Sequence, residues 1–338
     1  MSEQDGVLTL TKNGGRALIT TALTDMFSLQ HPIVLGPMGG VSGGLLAAAV
    51  SNAGGLGLVG GGYGDPAWLC AELSCVKSRT RLPWGVGLIT WSCAPEIVAL
   101  ALSYRPHAFM LSFGDPRYYG AAIRAAGCKL ICQVQDLAGA LLAREAGADL
   151  IVAQGTEAGG HGGTLATLPL VPAVVDAVAP IPVVAAGGIA DGRGLAAALM
   201  LGAHGALIGT RFCASNEALG NPQAKQRIVQ AQGGQTERTR VFDIVRGYEW
   251  PAPFTGRALQ NRFMQRWQGC EAQLADALFA EKAAYATATR DADFDTALIW
   301  AGEAAGLIHS VESAAALVTQ IGTQAQAQLR GAANLLRH

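Results

Sequence analysis

The sequence is poor in charge and in aromatic rings: 14% of its 338 residues are Asp, Glu, Lys or Arg, and 6% are Phe, Trp or Tyr. The two signs nearly cancel, with 24 basic against 25 acidic side chains, so no net field draws the chain toward phosphate polymers or anionic lipid. Neither nucleic acid nor a membrane is expected as a partner. The 7 cysteines include no Cys-x-x-Cys, and no set of His, Cys, Asp or Glu has metal-ligand spacing, so a disulfide framework and a metal are not expected. The opening residues lack a basic stretch followed by an apolar one, which argues for a reduced, cytoplasmic protein without a secretion signal. Residues 31–64 carry no charged side chain, yet twelve glycines break them into short pieces that read as buried strands and turns rather than a membrane span.

What is abundant is apolar residues, 50%, and glycine, 44. Short runs of Val, Ile, Leu and Ala without polar alternation recur at 33–36, 56–60, 85–90, 108–112, 130–134, 150–154, 183–186 and 206–209. Such runs read as strands buried on both faces. Helical segments lie between them: Pro95 suits a first turn, Asp191 an N-cap, and Gly147 and Gly202 C-terminal caps. Eight βα units in just over 200 residues predict a closed (β/α)₈ TIM barrel, in the α/β class; an open doubly wound sheet uses the same units but suits this number less well. After Phe212 the rhythm stops. Residues 1–215 are therefore expected to form the barrel, 216–299 a helical insertion, and 300–338 helices that pack back on it.

A barrel carries its chemistry at the C-terminal ends of its strands, with phosphate favoured after strands seven and eight. Glycine-rich segments fall at three such ends: 154–163, with Gln154, Gly159 and Gly160; 187–192, with Gly187 and Gly188; and 209–212, opening on Gly209 and Thr210. Glycine lets the backbone approach an anion closely and aim N–H groups at it. Residues 55–60 match G-x-G-x-x-G, but a helix precedes them and the glycines surround the apolar run, so they read as a strand and not a dinucleotide loop. His161, between two glycine pairs, is the candidate for acid–base work, while Glu157 is expected to fix backbone amides. The strand ends offer no lysine, which counts against a Schiff-base aldolase.

At these residues the sequence resembles the nitronate monooxygenase family, formerly the 2-nitropropane dioxygenases. The resemblance rests on His31-Pro-Ile, Pro37-Met, LAAAVSNAGGLG at 46–57, VAQGTEAGGHGG at 152–163, PVVAAGGIADGRG at 182–194, GTRF from Gly209 and WAGEAAGL from Trp300. It implies an FMN-bound barrel with a substrate domain inserted near its end. FMN would be held by Pro37, Met38, Gly87, Gln133, Gln154, Gly159, Gly160, Gly187, Gly188, Ile208, Gly209 and Thr210, with His161 as base. The implied reaction is oxidation of an alkyl nitronate or nitroalkane by dioxygen to a carbonyl compound and nitrite. Similar FMN barrels are NAD(P)H-dependent reductases of enoyl thioesters or quinones, the alternative reading. Two positions depart from the family pattern: Leu35, where many members have Gln, and Gly87, where they have Asn. Both are expected beside the flavin.

Overall fold

The computed structural model describes residues 10–13 and 16–335, so the expectations for the chain's first nine and last three residues fall outside it. Each of the eight apolar runs is a strand: β1 (Ile33–Leu35), β2 (Gly57–Gly60), β3 (Trp84–Ile89), β4 (Ala108–Ser112), β5 (Lys129–Val134), β6 (Leu150–Gln154), β7 (Val183–Ala186) and β8 (Ala206–Ile208). Neighbours from β2 to β8 pair in parallel in chain order, and β8 pairs with β1. A parallel bridge between Val34 and Leu56 joins β1 to the start of β2 and closes the sheet into a barrel.

Side chains alternate along each strand and so sort into two apolar layers. Val34, Leu58, Met110, Ile131, Val152, Val184 and Leu207 fill the barrel, together with Leu23 and Phe27 of helix Ala22–Phe27. Leu35, Val59, Val86, Phe109, Ile151, Val183 and Ile208 instead join the layer shared with helix residues such as Leu73, Leu195 and Leu317. The alternation that turns Val34 inward turns Leu35 toward the helices, where it is fully buried in the outer layer. A Gln there would sit in an apolar layer.

The connecting helices begin and end on the expected residues. Pro95 opens Pro95–Ser103, and the Asp191 carboxylate accepts from the Arg193 and Gly194 N–H groups to cap Gly192–Met200. Gly147 and Gly202 take left-handed backbone, φ 77° and 89°, just past their helices. Helix Ala314–Ala332 packs its buried face, including Leu317, Val318 and Ile321, into the same outer layer.

Residues 216–299, expected to be helical, carry two strands as well as helices. Thr236–Thr239 pairs antiparallel with Thr255–Leu259, which pairs on its other edge with Gly160–Gly162. Both segments are short and largely polar and show no clear period, so neither signals a strand. Their pairing places Gly256 opposite His161 and fastens the insertion to the loop after β6.

Candidate active site

Most of the expected site residues follow or end a barrel strand at its C-terminal end, while Gly87 lies inside β3 and Gln133 one residue before the end of β5. The glycines divide by what a side chain would meet there. At Gly159 an added Cβ would lie 2.6 Å from the Ala301 carbonyl carbon, and at Gly187 2.9 Å from Thr167 Oγ1 and 3.0 Å from Gly155 O. These two are glycine because protein packs against them. Around Gly160 nothing lies within 4 Å, Gly188 meets only Glu157 from 3.5 Å, and Gly209 meets only Met38, whose Sδ lies at 3.3 Å. These three backbones border open space. Gly209 N-caps the short helix Thr210–Cys213, whose first intrahelical bonds run from Phe212 and Cys213 to Gly209 O, leaving the Thr210 and Arg211 N–H groups ahead of the ladder. The Thr210 hydroxyl accepts from the Gly302 N–H at 2.9 Å, tying the C-terminal segment to this corner.

Amides line the barrel end. Gln154 Oε1 accepts from Gln133 Nε2 at 3.1 Å and from Gln135 Nε2 at 2.9 Å, while Gln154 Nε2 donates to the His161 carbonyl at 3.1 Å. Pro37 lies against Gly87, where any side chain would collide with its ring, so an Asn would require Pro37 to move. Ile208 contributes backbone only: its side chain is in the outer layer and its carbonyl accepts from Gly36. Glu157 accepts from the Thr167 N–H and hydroxyl, the amide-fixing role expected of it. At the end of β3 the buried Thr90 hydroxyl has no partner among the described residues.

His161 is 8% exposed and held on several sides. Its Nε2 lies 3.0 and 2.9 Å from the two oxygens of Asp243, on helix Val241–Arg246 of the insertion. A carboxylate only accepts, so Nε2 carries the hydrogen and Nδ1 is left with the lone pair. The Trp250 indole stacks on the ring with centroids 3.4 Å apart and planes 7° apart, and Trp300 approaches edge-on at 5.1 Å. Trp250 in turn donates to the Tyr63 hydroxyl at 2.9 Å, Tyr63 stacks on Tyr248 at 4.2 Å, and Phe113 meets Trp250 edge-on at 5.1 Å. An aromatic roof drawn from the loops after β2 and β4 and from the insertion thus covers the barrel mouth.

Asp243 and Trp250 were not legible as site residues in the sequence. Asp243 lies 82 positions from His161, within no motif. Two arginines of the insertion strands also reach the loop after β6: Arg238 donates to the carbonyls of Thr156 and Thr255, and Arg257, whose Gly256-Arg257 pair resembles the family's substrate-domain signature, donates to those of Thr156 and Thr236. They pin the glycine-rich loop from above. Burial, with the neighbouring Arg257 charge adding to it, lowers the Arg238 pKa to about 10. A cavity of about 250 Å³ lined by Arg227, Gln235, Asn261 and Phe294 shares no residue with this site. No cluster of metal-ligating side chains occurs among the described residues, and none of their helices is long and apolar enough to cross a membrane.

Burial pushes the His161 pKa below the ordinary imidazole value of about 6.5, against the opposing pull of Asp243; burial does the same at His204. A histidine depressed in the folded state binds fewer protons there than when unfolded, so its contribution to stability is complete above pH ~6.5 and is lost as pH falls toward the folded pKa. The melting temperature is therefore expected to hold from pH 8 to 7 and to drop between pH 6.5 and 5. The double variant His161→Asn/His204→Asn should flatten that drop; an undiminished drop would refute the assignment.

The nitronate monooxygenase family model matches residues 20–96 and 89–324. A nitronate monooxygenase, npaC, from Metarhizium robertsii is 36% identical, the match spanning 89% of this chain and 92% of that protein. A (3aS,4S,5R,7aS)-5-hydroxy-7a-methyl-1-oxo-octahydro-1H-indene-4-carboxyl-CoA dehydrogenase from Mycobacterium tuberculosis is 37% identical over 66% of this chain and 64% of its own length. Among solved structures, FabK from Thermotoga maritima superposes with a TM-score of 0.84 at 31% identity, over 94% of this chain and 100% of that one.

Proposed function

As the chain belongs to the nitronate monooxygenase family and is an oxidoreductase, we propose that it is an FMN-dependent enzyme that oxidises alkyl nitronates, and nitroalkanes after deprotonation, with dioxygen as electron acceptor, giving a carbonyl compound and nitrite. The observation that carries this reading is His161, its base nitrogen fixed by Asp243, adjoining glycine backbone that borders open space at the barrel mouth.

The residues present fit FMN. Gly188 and Gly209 leave room for a phosphate beside the N–H groups of Thr210 and Arg211, and the unpartnered Thr90 hydroxyl sits at the same end of the barrel. When bound, FMN supplies the electron transfer. The chain's own part is positional and protolytic. Gln154, held by Gln133 and Gln135, fixes the His161 backbone; the roof of Tyr63, Trp250 and Phe113 excludes water; and His161 Nδ1 takes the α-proton of a neutral nitroalkane. A nitronate has already lost that proton and needs only to be held.

Asp243 acts here as a positioning residue. Asp243→Asn would let the side-chain amide donate to Nε2 and shift the imidazole hydrogen to Nδ1, removing the base. Turnover of a neutral nitroalkane should fall by up to about 10⁴-fold, the cost of holding a catalytic histidine in the wrong tautomer, while nitronate turnover changes little. Equal losses for both substrates would show that Asp243 only holds the insertion in place.

The proposal is tested by incubating the aerated yellow protein with propyl-2-nitronate and no NADH. Oxygen uptake with stoichiometric nitrite and acetone is expected; absence of all three would overturn it. A second reading, NAD(P)H-dependent redox chemistry on a CoA or acyl-carrier thioester, is favoured by the 37% identity to the carboxyl-CoA dehydrogenase.

A further inference from the structure

We propose that Arg246 is the site's anion-binding residue, taking a planar two-oxygen anion, nitronate or carboxylate, in its guanidinium fork. This rests on the nitronate reading and deepens it. Arg246 and Asp243 lie three residues apart on helix Val241–Arg246 and so share a face. Both Asp243 oxygens are engaged by His161, at 3.0 and 2.9 Å. Among the described residues Arg246 makes no ion pair or hydrogen bond, and its Nη1 is buried without a partner. Its one contact of note is with the ring of Tyr248, 4.7 Å from the guanidinium carbon; Tyr248 stacks on Tyr63, which holds Trp250 over His161. Through Tyr248 the guanidinium joins the aromatic roof that covers His161.

A buried donor that is charged and unpaired calls for an acceptor from outside the chain. The site also needs such a cation. Asp243 places a negative charge against His161, and an anionic substrate brought beside them is repelled unless a positive charge offsets it. His161 does not supply that charge, because burial and the Arg246 charge both favour its neutral form. The two tasks are thus divided, with His161 as base and Arg246 as anion holder. A guanidinium suits a planar anion better than an ammonium does, since two parallel N–H groups match two oxygens.

The test compares Arg246→Met and Arg246→Lys with the parent holoprotein, after FMN content and melting temperature have been matched. Propionate, an inert planar two-oxygen anion, is titrated by calorimetry; KM is measured for propyl-1-nitronate and for neutral 1-nitropropane by oxygen uptake. For Arg246→Met the propionate Kd and the nitronate KM should both rise about 10- to 100-fold, with partial recovery in Arg246→Lys and little change in the nitropropane KM. If the parent oxidises no nitronate yet binds propionate through Arg246, the anion site stands and the nitronate reading fails. If only the nitronate value responds, the fork serves the reacting group; if only propionate does, it serves a carboxylate elsewhere on the substrate; either result supports the site. Unchanged values for both anions would overturn it, as would loss of FMN from Arg246→Met, which would make Arg246 a cofactor residue.

Discussion

Replacing His161 by Asn is expected to lower turnover of neutral nitroethane by about 10²- to 10⁴-fold, the usual worth of a general base. Preformed ethyl nitronate has no proton to give up, so its turnover should fall far less. The contrast between the two substrates is the informative quantity, because a disturbed loop would affect both. FMN content must be followed alongside, since Gly160 adjoins His161 and a change at His161 could disturb the strand Gly160–Gly162 and its pairing with Thr255–Leu259. Asn is also smaller than the imidazole on which Trp250 stacks at 3.4 Å, so some loosening of the roof is expected in either case. Parent-like rates on both substrates with flavin retained would remove His161 from the chemistry.

The second large effect is expected at the phosphate corner. Gly188 and Gly209 both border open space, but Gly188 has φ 72°, so any side chain there strains the backbone whatever the ligand does. Gly209 has φ −106° and no such restriction, which makes Gly209→Val the cleaner probe. Its added atoms would meet Met38, a flexible side chain, and otherwise fill the space assigned to FMN. Overpacking of this kind costs about 1–3 kcal/mol, so FMN should bind about 5- to 150-fold more weakly while the melting temperature of the flavin-free protein stays near that of the flavin-free parent. A variant that purifies with full FMN would show the seat to be elsewhere.

Much of this arrangement was legible in the sequence, for a physical reason. The barrel strands are buried on both faces, so their apolar runs stand out without a period, and the glycine-rich loops mark places where a Cβ cannot fit. The separate roles of those glycines were not legible: Gly159 and Gly187 make room for protein and Gly160, Gly188 and Gly209 do not, yet all five read alike. The outward turn of Leu35 was not legible either, because a fully apolar strand hides the alternation that decides which way each side chain points. The insertion was read as helical because Thr236–Thr239 and Thr255–Leu259 become strands only by pairing with each other and with Gly160–Gly162, a contact between distant parts of the chain. For the same reason Asp243, Arg246 and Trp250 carried no signal. Each acquires its meaning from where that pairing brings it.

A site that draws electrons from a nitronate and one that draws them from a nicotinamide differ in which donor reduces the flavin. The most direct measurement is the absorbance of the purified protein near 450 nm in two anaerobic cuvettes, one given ethyl nitronate and the other NADH. Rapid bleaching with the nitronate is expected, with an unchanged spectrum over the same interval with NADH. Rapid bleaching by NADH with the nitronate cuvette still yellow would contradict the nitronate reading and establish the reductase reading instead.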